Sequence, residues 1–182
     1  MSIRSVIGST PQQFKRRRFS VKNRINKPLV LGLGKVGYLV ALLLHETGFE
    51  VTGCDLQPAR DYCFPVRSLD VGDETALTAA LKEHDAVISC LPYHMNLDIA
   101  RTAARVNTHY FDLTEDVETT KSIMALSDTS SCVMAPQCGL APGFIGIVGA
   151  WLAKKFDRIR AIKLRVGALP KHPTGLLGYA FN

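Results

Sequence analysis

Three glycines lie within six positions of an otherwise apolar stretch, "PLVLGLGKVGYLV" at 28–40. They form the pattern G-x-G-x-x-G between a predicted strand and a predicted helix. In that context the first glycine permits a tight turn, the second lets a pyrophosphate approach the main chain, and the third lets helix and strand pack closely. The amide groups and dipole of the helix would meet the phosphates. The pattern predicts a dinucleotide cofactor bound at Gly32, Gly34, Lys35, Val36 and Gly37.

An acidic residue stands at the end of the second predicted strand. Asp55 follows Gly37 by 18 residues, a position from which a carboxylate can accept both hydroxyls of an adenosine ribose. Because its charge would repel a 2′-phosphate, we expect NAD as the cofactor in preference to NADP. Arg60 keeps NADP as the lesser alternative, and a turn at the strand end explains Asp55 without any ligand.

Residues after the third and fourth predicted strands are candidates for further cofactor contacts. Ligands of open α/β sheets lie outside the carboxyl ends of the strands. The candidates are Asp70, Val71, Cys90, Leu91 and Pro92. Taken singly, each of these residues is more often structural than ligand-binding.

Titratable side chains follow the fourth and fifth predicted strands and would face one crevice. Hydride transfer involving an amine or alcohol needs a proton acceptor matched to the operating pH, and histidine meets that need without tuning. We therefore predict His94, in "CLPYHMN", and Asp116, in "FDLTED", as catalytic residues. The alternatives are a histidine bonded to the backbone at a helix start and a carboxylate favoured there by the helix dipole.

Strands and helices alternate in the elements that must position these residues, as is typical of βαβ units. Strands are predicted at 29–33, 50–55, 66–70, 86–91, 109–113 and 131–136, and helices at 35–46, behind an N-cap at Asp73, and at 95–106, 116–126 and 145–156. One more strand, alternately apolar and polar, is predicted at 160–169. The sequence predicts an α/β fold with a Rossmann-type doubly wound parallel sheet and the start of a truncated α/β substrate domain.

The formal charge of +6 comes from the first 27 residues, which hold eight bases and no acid. The remainder is slightly acidic, so we expect no nucleic-acid partner. The basic segment lacks the apolar core of a secretory signal and has the Arg-rich, acid-free composition of transit peptides. We predict a disordered tail, with a start codon read too far upstream as another explanation.

Cysteine spacing and apolar run length exclude several classes of protein. Five cysteines without a CxxC pair fit neither a disulfide framework nor a zinc site. The longest apolar run after the tail has ten residues, at 144–153, whereas a membrane helix takes about 20. We expect a reduced, cytoplasmic protein with no metal site and no membrane partner.

Four sequence blocks resemble the saccharopine dehydrogenase family, particularly its lysine-6-dehydrogenase-like bacterial members. They are "GLGKVG", "LPYHMNLDIARTA", "HYFDLTEDVE" and "GLAPGFIGI", and the resemblance runs from Leu29 to Tyr179. It implies NAD(P)-dependent oxidation of a C–N bond in a lysine-derived amino acid. It also implies a substrate domain, often dimer-forming, after the cofactor domain, with the crossing at a G-x-x-P-G turn, here Gly139, Pro142 and Gly143.

The resemblance divides the chain into three parts: a basic tail (1–27), an NAD(P)-binding domain (28–138) and an incomplete substrate and dimerisation domain (139–182). Family members are much longer, so we expect a fragment or a shortened form, which could form a homodimer. Two other interpretations stay open. One is a Rossmann-type NAD-sensing module of the kind that regulates potassium channels, which has no reason to carry "LTEDVE" and "CGLAPGF". The other is an inactive scaffold.

Overall fold

The computed structural model describes residues 25–58 and 61–167, in which strands and helices alternate along the chain. The strands are β1 (Pro28–Leu31), β2 (Thr52–Asp55), β3 (Val66–Ser68), β4 (Ala86–Ser89), β5 (His109–Asp112) and β6 (Met134–Ala135). The helices are α1 (Lys35–Glu46), α2 (Glu74–Lys82), α3 (Tyr93–Val106), α4 (Val117–Ser127) and α5 (Phe144–Ala153).

Within the described residues, the six strands form one sheet in the order β3-β2-β1-β4-β5-β6, and neighbouring strands are parallel. Strand order reverses between β1 and β4, so Leu31 at the end of β1 pairs with Cys54 on one side and with Ser89 on the other. The predicted doubly wound parallel sheet is confirmed. Its switch point, where such sheets bind ligands, lies directly after β1.

Apolar side chains of β1 alternate between two cores, one on each face of the sheet. Leu29 and Leu31 belong to a cluster with residues of α2, α3 and α4, whereas Val30 belongs to a cluster that includes Ala41 of α1. A side-chain period of two residues sends neighbours to opposite faces. Because helices cover both faces, the strand is apolar throughout, as buried parallel strands are.

Local signals fix several helix boundaries. The helix predicted at 35–46 is confirmed as α1 without a change of bounds. Asp73 is the N-cap of α2, as predicted, and its carboxylate accepts the N–H groups of Thr75 and Ala76. The strands are shorter than predicted; β6 keeps only two residues of the six expected, because a strand ends where its partner ceases to pair with it.

The strand predicted at 160–169 is wrong over 160–167, and its last two residues lie outside the described part of the chain. Residues 160–167 form no regular element, and Ile162, Leu164 and Val166 are exposed. Leu164 lies against Gly149 of α5, where an added Cβ would come within 2.7 Å of the leucine side chain. A strand needs a neighbour for its main-chain hydrogen bonds, and no described strand lies beside this segment.

The end of the predicted tail is attached to the sheet. The main-chain N–H groups of Asn26 and Lys27 donate to the Asp85 carboxylate at 3.0 and 2.9 Å, and the Lys27 ammonium lies 3.4 Å from Glu50. Residues 1–24 lie outside the described part of the chain. Among the helices that are described, none has the length and apolar content needed to cross a bilayer. The cytoplasmic location stays a prediction.

Candidate functional site

The turn after β1 is held in place by its neighbours on both sides. Gly32 has a φ of +85°, in the left-handed region that favours glycine. Its N–H donates to the carbonyl of Cys54 at 2.8 Å, and a Cβ on Gly32 would lie 2.8 Å from the side chain of Leu91. The glycine turn is therefore seated between the ends of β2 and β4.

Gly37 brings α1 against this turn. A Cβ at Gly37 would collide with the carbonyl oxygen of Gly32 and would lie 3.1 Å from the Cβ of Cys90. The close approach of helix and strand that the third glycine predicts is present in the structure. A larger residue would push α1 away from the sheet.

Gly34 differs from the other two glycines because a Cβ added to it would meet no atom within 4 Å. Gly34 is the N-cap of α1, where no side chain caps the helix and no acidic residue occupies the first turn. The residues that follow, Lys35 and Val36, are exposed. An uncapped helix start with an open approach is suited to bind an anion. We call the open space beside Gly34 and the start of α1 the phosphate cradle. A Cβ on Gly34 would occupy this space, which fits the pyrophosphate of a dinucleotide.

Asp55 supports the glycine turn directly. One carboxylate oxygen accepts the N–H of Leu33 at 2.7 Å, and the other accepts the N–H of Gln57 at 3.1 Å. The structural role considered from the sequence is thus present. Since each carboxylate oxygen can accept more than one hydrogen bond, a ribose hydroxyl could still be bound.

The other candidate cofactor contacts lie beyond β3 and β4. Asp70 accepts the N–H of Gly72 at 2.8 Å in the turn before α2, and Val71 beside it is half-buried. Cys90 donates its N–H to Leu31 at 2.8 Å, and burial raises the pKa of its thiol to about 11, so it is neutral. Pro92 is the N-cap of α3. Cys90 and Leu91 thus pack on the glycine turn, whereas Asp70 shapes a turn of its own.

His94 and Asp116 follow the adjacent strands β4 and β5. His94 is exposed in the first turn of α3, with its ring edge-on to Tyr93 at a centroid distance of 6.0 Å. Asp116 is the N-cap of α4 and accepts the N–H of Thr119 at 2.8 Å. That hydrogen bond lowers the pKa of the Asp116 carboxyl. A lowered pKa makes the Asp116 carboxylate a weaker base.

Buried polar residues at the ends of β4 and β5 were not among the predicted site residues. Ser89 donates to the side-chain oxygen of Asn96 at 2.7 Å, and both residues are buried. Asp112, which pairs with Ser89 across the two strands, is also buried. The sequence signal for these buried polar residues is a polar residue at the last position of a strand, as in "AVIS" and "HYFD".

A surface cavity of about 710 Å³ lies at the opposite edge of the sheet, lined by the amino ends of strands. Its lining includes two ion pairs, Lys27 with Glu50 and Arg67 with Glu83. None of the predicted site residues lines it. This cavity is therefore separate from the glycine turn.

Comparison with known proteins gives concordant similarities. A family model described as the saccharopine dehydrogenase NADP binding domain matches residues 29–133. The "Saccharopine dehydrogenase [NADP(+), L-glutamate-forming]" of Pyricularia oryzae is 29% identical over 170 residues, covering 85% of this chain and 37% of that protein. Apo saccharopine dehydrogenase (L-Glu forming) from Saccharomyces cerevisiae superposes with a TM-score of 0.57 at 24% identity, over 71% of this chain and 30% of that one. This likeness shows the fold, and the chain spans about a third of each relative.

Proposed function

Since this chain belongs to the saccharopine dehydrogenase family, we propose that it binds a nicotinamide dinucleotide at the carboxyl edge of the sheet as the cofactor-binding part of an oxidoreductase. The observation that carries the proposal is the start of α1. There the exposed residues Gly34, Lys35 and Val36 present main-chain amides without a side-chain cap. The dipole of a helix of 12 residues adds to the attraction for phosphate.

Each part of the turn has a separate task in this proposal. Asp55 and Leu91 hold the turn in shape, and Gly34 leaves the space through which the pyrophosphate reaches the amides. The bound dinucleotide supplies the hydride acceptor or donor of the reaction. The ends of β4 and β5 would line the nicotinamide half, because the adenosine half lies on the β2 side of the switch point.

We propose NADP as the cofactor, in place of the NAD expected from Asp55. The names of the matched family and of the fungal relative both specify NADP. In the structure the Asp55 carboxylate accepts two main-chain N–H groups, so part of its capacity to accept hydrogen bonds from a ribose is already used by the turn. Arg60, the cation considered from the sequence, lies outside the described residues.

We propose a C–N bond of a lysine-derived amino acid as the site of reaction. Both relatives are named as saccharopine dehydrogenases that form L-glutamate, which supports this substrate class. His94 is proposed as the proton acceptor, since its exposed ring follows β4 on the nicotinamide side. Asp116 is proposed to fix the start of α4 through its hydrogen bond from Thr119, and this role is additional to the catalytic one predicted from the sequence.

We also propose that the chain self-associates through α5. None of the ten residues of this helix is fully buried, and Ile147 at its middle is 70% exposed. Phe144 and Trp151 extend the same apolar surface. Large exposed apolar patches mark interaction sites, and the family resemblance found in the sequence implies that a homodimer could form.

Calorimetric titration of the chain with NADP+ and with NAD+ tests the function. Binding of either dinucleotide in the micromolar range supports the site, and tighter binding of NADP+ supports the cofactor choice. Failure to bind both would overturn the proposal. Tighter binding of NAD+ would restore the preference predicted from Asp55 and leave the site intact.

A further inference from the structure

Asp112, at the end of β5, carries a carboxylate that the proposed function does not use. Its exposed fraction is 0%. One oxygen accepts the phenol O–H of Tyr110 at 2.8 Å, and the other accepts the N–H groups of Thr114 at 2.9 Å and Gln137 at 3.1 Å. Three donors thus satisfy a carboxylate that burial would otherwise disfavour strongly.

These hydrogen bonds join two segments that are distant in sequence. Thr114 belongs to the loop between β5 and α4, and Gln137 follows β6 by two residues. The main-chain carbonyl of Asp112 also accepts the N–H of Cys138 at 2.7 Å. Asp112 is therefore the point at which the loop after β5 is tied to the turn after β6.

The turn after β6 needs this support. Gln137 has a φ of +64°, a conformation that residues other than glycine rarely adopt. Further along, Gly143 has a φ of +130°, and a Cβ there would collide with the carbonyl oxygen of Gly139. The main chain is thus packed closely on itself, and the bond from Gln137 to Asp112 fixes where this packing begins.

Asp112 lies at the part of the sheet edge where the nicotinamide half of a dinucleotide would bind. Asp112 lies on the β4-β5-β6 side of the switch point, whereas Asp55 lies at the end of β2 on the adenosine side. A dinucleotide bound across the switch point places its nicotinamide half on the former side. Both segments tied by Asp112 leave the sheet at that edge.

We propose that Asp112 is a positioning residue for the nicotinamide half of the site: it holds the loop after β5 and the turn after β6 in the arrangement that receives the ring. This inference rests on the proposed function. Because Asp112 is fully buried, it would act through these two segments and not by touching the ring. Burial, together with the Asp112 charge, raises the pKa of Tyr110 above its usual range, so its hydroxyl remains a donor.

The test compares a whole dinucleotide with its adenosine half. Affinities for NADP+ and for adenosine 2′,5′-bisphosphate are measured by calorimetry on the unmutated chain, on Asp112→Ala and on Asp112→Asn. If the unmutated chain binds NAD+ more tightly than NADP+, NAD+ and ADP are used as the two ligands instead. Asp112→Ala removes all three hydrogen bonds of the carboxylate, and we expect it to weaken dinucleotide binding by about tenfold or more and to leave the affinity for the fragment unchanged. Asp112→Asn keeps an oxygen for Thr114 and Gln137 and should restore most of the affinity.

The outcomes separate this inference from the function on which it rests. If the unmutated chain binds neither ligand, both are overturned. If it binds the dinucleotide and Asp112→Ala weakens both ligands equally, or neither, only the positioning role is overturned. If Asp112→Ala does not fold, Tyr110→Phe replaces it in the same comparison, because it removes only one hydroxyl. We expect Tyr110→Phe to weaken the affinity for the dinucleotide by about threefold and to leave the affinity for the fragment unchanged. Equal effects of Tyr110→Phe on both ligands would overturn the positioning role.

Discussion

Leu33 donates its main-chain N–H to the carboxylate of Asp55 at 2.7 Å, so the middle of the glycine turn is anchored to the end of β2. The same carboxylate accepts the N–H of Gln57. A residue expected to bind the ribose is therefore also part of the framework that shapes the phosphate cradle. Substitution at Asp55 has to separate its charge from its hydrogen bonds.

Asp55→Asn removes the charge and keeps one of the two hydrogen bonds, because the amide oxygen can still accept one N–H. We expect the ratio of NADP+ to NAD+ affinity to rise several-fold, since a carboxylate beside the ribose opposes a 2′-phosphate. The measurement is calorimetric titration of both dinucleotides. Asp85→Asn is the matched control, because Asp85 also accepts two main-chain N–H groups but lies at the opposite edge of the sheet. An unchanged ratio in Asp55→Asn would show that Asp55 has no part in cofactor choice.

Gly34 and Gly37 should respond differently to alanine. Gly34→Ala meets open space and has an ordinary φ of −63°, so we expect little change in melting temperature but a loss of dinucleotide affinity of about tenfold or more. Gly37→Ala drives its Cβ into the carbonyl of Gly32 and should destabilise the fold by about 2 kcal/mol. Thermal melts and titrations give both quantities.

Gly146→Ala serves as the control for these two variants. As at Gly34, a Cβ added to Gly146 would meet open space, but Gly146 lies in α5, away from the glycine turn. We expect it to leave cofactor affinity unchanged and to raise the melting temperature slightly, since alanine favours helix. Normal binding by Gly34→Ala would contradict the assignment of the phosphate cradle.

Contacts within one βα unit were predictable from the sequence, and contacts between units were not. The glycine spacing and the apolar period predicted α1 at 35–46, and Asp73 marked the start of α2. The bond between Asp112 and Gln137 joins residues 25 positions apart, and sequence spacing says nothing about which turn will meet which strand end. The pattern at 160–167 fits a strand, but pairing depends on a neighbour that periodicity does not reveal.

The pH dependence of stability should report the cap at Asp116. Its bond from Thr119 lowers the folded-state pKa below the value of 3.8 for the free carboxyl. A lowered pKa contributes stability that is present above pH 3.8 and is lost as the pH falls through the folded value. Asp116→Ala should therefore lower the melting temperature at pH 7, and the difference should shrink below pH 4. Asp116→Asn, which keeps the cap, should lie between; a difference that is the same at every pH would contradict this account.

Deletion of the basic tail should have two distinct effects. Removing residues 1–24 should leave folding and cofactor affinity nearly unchanged, because the segment has little apolar material to bury. Removing 1–27 also eliminates the bonds of Asn26 and Lys27 to Asp85 and the pair of Lys27 with Glu50, and it should lower the melting temperature. Thermal melts of the two deletions decide the matter. Equal melts would mean that these bonds add nothing to stability.

The exposed face of α5 should drive self-association. Phe144, Ile147 and Trp151 present apolar area to solvent that a second copy could cover. The following residues carry several lysines and arginines, which oppose close approach of two copies at low salt. We therefore expect a concentration-dependent dimer that strengthens as salt rises, measured by size-exclusion chromatography with light scattering.

Ile147→Lys places a charge at the centre of this face and should shift the protein to monomer. The monomer should keep its fold, since Ile147 is 70% exposed and belongs to neither apolar core cluster. Leu39→Lys is the control, because Leu39 is an exposed apolar residue of α1, which lies elsewhere in the fold. It should leave the dimer intact. A monomer at every concentration and salt level in the unmutated chain, or equal effects of the two substitutions, would mean that α5 is not the associating surface.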